Sequence, residues 1–203
     1  MVKIMPQKTL DLVFLIDRSG SMYGSEKDTI GGFNSFIDRE KDKDCNTKVT
    51  TILFDNGYEV LYKRKSIGEV SKLTSDEYYV GGSTALFDAI GRTITTLDKE
   101  VGNNVLFVIM TDGMENSSVE FSKSQIKNMI DSHNWEFLFI GADINSYAEA
   151  AKIGIRKSRT ANYKKSSDGI GRLYDSVEIA ADCMRCNMDL GEANWKKDLK
   201  DYD

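Results

Sequence analysis

The chain has 203 residues, 40% of them hydrophobic, which is enough to bury the core of one globular domain. Its net charge of −5 disfavours nucleic acid and anionic membranes as partners. Three cysteines form an odd set that is not typical of a disulfide framework, and residues 1–9 show no signal-peptide pattern, so we expect a cytoplasmic protein.

The first half of the chain alternates apolar strands with amphipathic helices. The elements predicted there are strands over 10–16, 48–55 and 58–65 and helices over 28–41, 66–73 and 84–99. The second and third strands flank Asn56-Gly57, a dipeptide suited to the positive backbone angles of a tight hairpin turn. This hairpin places an antiparallel strand at one edge of the sheet.

The second half continues the alternation. It predicts strands over 104–110, 136–142 and 158–163 and helices over 122–133, 145–153 and 169–188. The apolar strands and intervening helices indicate an α/β fold, with a mostly parallel central sheet and helices on both faces. We expect one domain over residues 1–190 and a polar C-terminal tail over 191–203. That tail should be solvated unless Trp195 packs back on the domain or serves as a docking group.

Oxygen-bearing side chains follow two of the apolar strands and precede one helix. Asp17, Ser19 and Ser21 come after the first strand, Thr84 opens a helix, and Asp112 follows the strand over 104–110. Loops at the carboxyl ends of parallel strands converge on one crevice, so these five side chains could meet there. The alternative is that the first three belong to a plain polar turn between strand and helix.

The proposed ligand set fits a hard divalent cation. Mg²⁺ prefers about six oxygens at roughly 2.0–2.1 Å and usually keeps open positions for water or a ligand. Only Asp17 and Asp112 carry charge, so a bound dication would be roughly neutralised and could still accept an anionic oxygen, such as a partner's carboxylate. Closed calcium sites use more carboxylates and carbonyls, so Ca²⁺ fits less well than Mg²⁺ or Mn²⁺.

These motifs resemble the metal-ion-dependent adhesion site of the von Willebrand factor type A (VWA) domain family. The family has Asp-x-Ser-x-Ser, then a distant Thr, then a distant Asp. The resemblance covers most of the chain through three segments, LVFLIDRSGSM, YYVGGSTALFDAIGRTI and VLFVIMTDGMENSS. It implies a doubly wound, Rossmann-like sheet and a metal held by Asp17, Ser19, Ser21, Thr84 and Asp112. It also implies a last helix, residues 169–188, that can move on binding, and the chain looks like a stand-alone bacterial or phage member.

Two carboxylates near the proposed site have more than one interpretation. Asp88 lies one helical turn after Thr84, where it could orient a ligand or could be a surface carboxylate. Asp143 follows the strand over 136–142, where it could bind the metal or cap the next helix.

The loops around the site supply the remaining candidates. Gly81 and Gly82 could let the backbone approach the ion or could form a flexible turn. The residues expected at the rim are Met22, Tyr23, Met114, Glu115 and Asn116.

Catalytic and soft-metal motifs are weak in this sequence. Cys183 and Cys186 have C-x-x-C spacing but lie inside a predicted helix, where an ordinary pair is favoured over a redox or zinc pair. His133 is the only histidine and sits near a helix end, as surface or capping residues do. A phosphotransferase of the haloacid dehalogenase type would need an Asp where Ser19 stands.

We therefore expect a metal-dependent protein-binding module that is not an enzyme. An Asp or Glu of a partner protein would complete the shell of Mg²⁺ or Mn²⁺. The alternatives are a Mg²⁺-dependent hydrolase and a domain with a purely structural metal.

Overall fold

The computed structural model describes residues 9–43, 46–191 and 193–199. In these residues, six strands form one sheet: β1 (Leu10–Asp17), β2 (Thr47–Phe54), β3 (Tyr58–Ser66), β4 (Val105–Thr111), β5 (Glu136–Gly141) and β6 (Thr160–Asn162). The helices are α1 (Glu26–Lys41), α2 (Leu86–Leu97), α3 (Lys123–Ser132), α4 (Ser146–Lys152) and α5 (Ser167–Arg185). In this part of the chain, no helix is both long enough and apolar enough to cross a bilayer.

The strand order is β3-β2-β1-β4-β5-β6. All neighbouring strands are parallel except β2 and β3, which form the predicted antiparallel hairpin at one edge. The predicted α/β sheet is thus confirmed. Because the chain runs outward from β1 to β3 and then returns to β4 on the other side of β1, the carboxyl ends of β1 and β4 form a topological switch point.

Both faces of the sheet are covered by helices, which explains the unbroken apolar runs over residues 12–16 of β1 and 105–110 of β4. On one face Phe14 packs against Phe33 of α1 and Tyr174 of α5, with ring centroids 5.6 and 6.2 Å apart. On the other face Leu15 lies in a second core with Ile90 of α2. Polar side chains are therefore concentrated at the strand ends.

Residues 66–73 do not form the predicted helix. Only Ile67–Glu69 makes a single 3₁₀ turn, and Val70 after it is extended. The side-chain amide of Asn34 on α1 donates to the carbonyl of Leu73 at 2.9 Å and accepts from its N–H at 2.7 Å. These bonds replace helical ones and hold the buried Val70 and Leu73 in the core that includes α1.

The hairpin turn between β2 and β3 differs from the predicted type. Neither Asn56 nor Gly57 has a positive φ. Instead, the carboxylate of Asp55 accepts from the N–H of Gly57, and the N–H of Asp55 donates to the carbonyl of Gly57 at 3.2 Å. An Asp side chain that closes the turn removes the need for left-handed residues.

The segment after α5 packs against the domain, so the structure shows the second of the two expectations for the tail, in which Trp195 packs back on the domain. Trp195 is only 1% exposed, and its indole N–H donates to the carbonyl of Ser158 at 2.9 Å. Leu199 is also buried. Next to Trp195, the ammonium of Lys196 donates to the carbonyl of Thr160 in β6 at 2.5 Å.

An ion-pair network joins α1 to α5. The fully buried carboxylate of Glu40 contacts the guanidinium of Arg185 and the ammonium of Lys43, the latter at 2.9 Å. Glu178 pairs with Lys43 at 2.8 Å and with Arg39 at 2.7 Å. Burial alone would raise the pKa of Glu178, but the hydrogen bonds from Lys43 and Arg39 outweigh it and hold the pKa below its ordinary value.

We expect Arg185→Met to lower the free energy of unfolding by about 3 kcal/mol, because the buried Glu40 would lose part of its compensating charge. Arg172→Met on the same helix is the matched control. Its ion pair with Asp168 (3.0 Å) is exposed, so the loss should stay below about 1 kcal/mol. Urea unfolding followed by circular dichroism measures both losses, and equal losses would contradict a buried role for Arg185.

Candidate metal site

The candidate site lies at the carboxyl ends of β1 and β4, the two central strands. β1 ends at Asp17 and β4 ends at Thr111, and their parallel register brings these ends side by side. The loop after each strand leaves the sheet at the same edge, where the sequence predicts convergence.

The first loop is built around Asp17, which is fully buried. One of its carboxylate oxygens accepts from the N–H of Ser19 at 2.7 Å, and the other accepts from the hydroxyl of Thr111 at 2.5 Å. The hydroxyls of Ser19 and Ser21 are 3.0 Å apart, and that of Ser21 donates to Asp112 at 2.5 Å. Hydrogen bonds therefore link the first loop to the loop after β4.

The second loop places Thr84 beside these groups. Gly81 N–H donates to the carbonyl of Arg18 at 2.9 Å, and Thr84 N–H donates to the side chain of Asn116 at 2.9 Å. A Cβ built on Gly113 would lie 2.6 Å from the hydroxyl oxygen of Thr84 and 3.3 Å from that of Ser21. The Thr84 and Ser21 hydroxyls thus flank the same glycine.

The structure brings all five predicted site residues together. A pocket of about 340 Å³ opens above them, and Ser19, Ser21 and Thr84 contribute to its lining. The donors are two carboxylates and three hydroxyls, and no group of three or more His, Cys, Asp or Glu suited to a metal occurs among the described residues. Such an oxygen set fits a hard divalent cation better than zinc or copper.

Burial dominates the electrostatics of Asp17. It raises the pKa of this carboxyl from 3.8 to about 6, although hydrogen bonds from Thr111 and Ser19 act in the opposite direction. Keeping Asp17 ionised at neutral pH therefore costs free energy, and a bound cation would offset that cost.

Lys165 is a site residue that sequence analysis missed. It lies in the loop between β6 and α5, and its ammonium is 2.8 Å from the second carboxylate oxygen of Asp112. It also donates to the carbonyl of Ser21 at 2.7 Å. The available signal was its position, because a loop that follows a parallel strand leaves the sheet at the site's edge.

Asp88 is not a surface carboxylate. It is buried, and its carboxylate accepts from the N–H groups of Val119, Glu120 and Phe121, each at 2.9 Å. Its own N–H donates to Ser118 at 3.0 Å. Asp88 therefore fixes the course of the loop that follows the site.

The structure places most of the predicted rim residues around the pocket. Met114, Glu115 and Asn116 line it, and Tyr23 is 80% exposed, whereas Met22 is buried and does not belong to the rim. The carboxylate of Glu115 accepts from backbone N–H groups of α2 and of its own loop, and Asn116 holds the backbone of the second loop. Tyr23 and Met114 are thus the large apolar side chains of the rim that project into solvent.

Asp143 does not cap α4, because Asn145 does so by accepting from the N–H of Ala148 at 3.0 Å. The side chain of Asp143 is 72% exposed and lies 3.9 Å from the ammonium of Lys165.

Gly82 has a φ of +70°, which explains the glycine there, and it faces Asn56.

The histidine and the C-x-x-C pair lie away from the site. His133 occupies the C-cap of α3, as expected of a capping residue, and contacts Asp98 at 2.9 Å. Cys183 on α5 is buried and Cys186 at its C-cap is exposed, and both are free thiols.

A family model described as "von Willebrand factor type A domain" matches residues 11–175. The pilus adhesin SpaC from Lactobacillus rhamnosus GG is similar at a TM-score of 0.73 and 14% identity, covering 92% of this chain and 31% of that one. Manganese-loaded TRAP protein from Plasmodium vivax is similar at a TM-score of 0.61 and 22% identity, covering 78% of this chain and 70% of that one.

Proximal thread matrix protein 1 from the mussel byssus, with a zinc-occupied MIDAS motif, has a TM-score of 0.60 and 16% identity, covering 89% of this chain and 46% of that one. The chain thus spans less than half of the mussel protein and of SpaC, and at these identities the likeness shows the fold alone. No curated protein matches the chain.

Asp17→Asn tests the cost of the buried charge. Burial raises the pKa of Asp17 in the folded protein above its unfolded value. The free energy of unfolding is therefore undiminished by Asp17 below about pH 4, and it falls by about 3 kcal/mol as the pH rises through the folded pKa of about 6. In EDTA, we expect the variant to lack this slope and to be more stable at pH 7 by about 1–3 kcal/mol. Urea unfolding at several pH values is the measurement. Asp143→Asn should keep the wild-type slope, and equal slopes in both variants would refute the assignment.

Gly82→Ala tests the backbone of the second loop. A side chain there would be strained by the positive φ, and its Cβ would lie 2.0 Å from the side-chain oxygen of Asn56. We expect a loss of about 1–3 kcal/mol in the free energy of unfolding. Gly81→Ala is the matched control, because a Cβ there meets nothing within 4 Å, and its effect should stay within about 0.5 kcal/mol. If Gly82→Ala loses as little free energy of unfolding as Gly81→Ala, the loop adapts to the side chain and the assigned strain is wrong.

Proposed function

The chain belongs to the von Willebrand factor type A domain family, and from that premise we propose that it is a metal-dependent protein-binding module. Asp17, Ser19, Ser21, Thr84 and Asp112 would hold a divalent cation. An Asp or Glu of a partner protein would complete its coordination. The observation that carries the proposal is the convergence of these five side chains below an open pocket.

Mg²⁺ or Mn²⁺ is the cation we propose. The candidate ligands are oxygens only, and just Asp17 and Asp112 are charged, which suits a hard cation that keeps an exchangeable position. The similar TRAP protein is manganese-loaded and the mussel protein has a zinc-occupied MIDAS motif, which supports a divalent cation of some kind. When bound, the cation would supply a Lewis-acidic position for an anionic oxygen.

The surroundings of the pocket support a protein partner. Tyr23 and Met114 project from the loops that carry Ser21 and Asp112, and large exposed apolar side chains beside a polar centre are typical of protein contacts. The net charge of −5 argues against nucleic acid and anionic membranes. The cytoplasmic location stays a prediction.

Binding is better supported than hydrolysis, because the described residues around the pocket offer no evident general base. The carboxylate of Glu115 is engaged by the backbone N–H groups of Phe87, Ser117 and Ser118. His133 precedes β5 and therefore lies at the amino ends of the parallel strands, opposite the carboxyl ends where the pocket opens. We accordingly propose that the protein is not an enzyme.

Isothermal titration with Mn²⁺ tests the metal site. We expect Asp112→Asn to weaken binding by about 100-fold or more, since even changes beyond the ligands typically cost about 10–100-fold. Asp168→Asn removes an exposed carboxylate that pairs with Arg172, outside the site, and should bind Mn²⁺ like the wild type. Equal affinities of Asp112→Asn and wild type would refute the site.

The partner is tested by capture from host lysate on the immobilised protein, with Mg²⁺ or EDTA. A protein retained in Mg²⁺, and lost both in EDTA and with Asp112→Asn, should also lose binding when one of its Asp or Glu residues becomes the amide. If the metal raises stability but the same proteins are retained in every arm, the metal is structural and the adhesion proposal fails.

A further inference from the structure

Lys165 places a positive charge among the candidate ligands. Its ammonium contacts Asp112 at 2.8 Å and the backbone carbonyl of Ser21 at 2.7 Å. The side chain of Lys165 is 22% exposed, whereas that of Asp112 is 1% exposed. The ammonium thus contacts a carboxylate that is itself buried.

Lys165 contacts the carboxylate oxygen of Asp112 that does not accept a hydrogen bond from Ser21. The other carboxylate oxygen of Asp112 already accepts from the hydroxyl of Ser21 at 2.5 Å. Each carboxylate oxygen has two lone pairs, but the oxygen beside Ser21 already uses one of them, so the second oxygen is the freer position for a cation. A cation that binds there must share that oxygen with the ammonium or take the place of the ammonium.

The charge balance of the site favours displacement of the Lys165 ammonium by the cation. Asp17 and Asp112 together carry two negative charges, which a dication balances. Adding a dication while the ammonium stays would leave one excess positive charge, with two cations repelling each other across a few ångströms of partly buried protein.

We propose that Lys165 is a built-in competitor of the divalent cation, so that metal binding displaces its ammonium from Asp112. This inference rests on the proposed function, because it concerns the same site. Lys165 holds Asp112 in the metal-free protein and lowers the metal affinity of the site. The metal and the lysine thus exchange on one carboxylate.

A place for the displaced ammonium is already present. Asp143 lies 3.9 Å from it, and the carboxylate of Asp143 is largely exposed to solvent. The four-carbon stem of a lysine is flexible enough to move its charge between two such carboxylates. Displacement therefore needs a change of side-chain conformation and no movement of the sheet.

Lys165→Met tests the competition, because methionine keeps a similar length without the charge. We expect the variant to bind Mn²⁺ about tenfold or more tightly than the wild type in isothermal titration, since its site no longer has to expel a cation. Lys164→Met is the matched control. Lys164 is the exposed neighbour, and its loss should change the affinity by less than about twofold.

Urea unfolding separates competition from an ordinary stabilising ion pair. Lys165→Met should lower the urea midpoint in EDTA, where Asp112 loses its partner, but should not lower it in saturating Mn²⁺. The same loss in both conditions would overturn the proposal, and so would Mn²⁺ binding that is equal to or weaker than that of the wild type.

Wild-type binding and the ratio between variants report on different claims. If the wild type binds Mn²⁺ and Lys165→Met binds equally well, the competition fails and the metal site stands. If only Lys165→Met binds, the competition is supported and the metal-dependent function of the wild type fails. If neither binds, both are overturned.

Discussion

Burying the carboxylate of Asp17 at the end of the central strand requires hydrogen bonds, and the groups that supply them form the frame of the site. Thr111 donates from the end of β4, and the N–H of Ser19 donates from the first loop. Because an unsatisfied buried charge is very costly, these bonds fix β4 and the first loop relative to β1. Ser21 then extends the frame to Asp112. The ligand positions are thereby set by the protein itself.

The sheet and the five converging residues could be predicted from the sequence because they follow from strong local signals. In β4, residues 105–110 are all apolar, as the interior of a strand buried on both faces must be. Once β1 and β4 are identified as parallel strands, Asp17 and Asp112 must leave the same edge of the sheet. Thr84 was the weakest of these predictions from the residues alone, since a threonine at a helix start is otherwise common, and the resemblance to the family strengthened it.

The features that the sequence did not reveal depend on partners distant along the chain. Residues 66–73 have an amphipathic pattern, but Asn34 supplies the hydrogen bonds that favour an extended path. Asp88 resembles any first-turn carboxylate until the loop over 119–121 folds onto it. Lys165 resembles a solvated lysine, and only the tertiary structure shows its contact with Asp112. Local patterns carry no information about such contacts.

The packing of the chain after α5 affects whether copies of this domain can associate through the edge strands of their sheets. β6 has only three residues, and Lys196 takes a carbonyl of that strand, so an incoming strand would find little to pair with there. At the opposite edge, β3 carries charged side chains in succession, and Arg64 has a φ of 47°, which interrupts the regular pleat. Strand addition and fibre growth are thus opposed at both edges of the sheet.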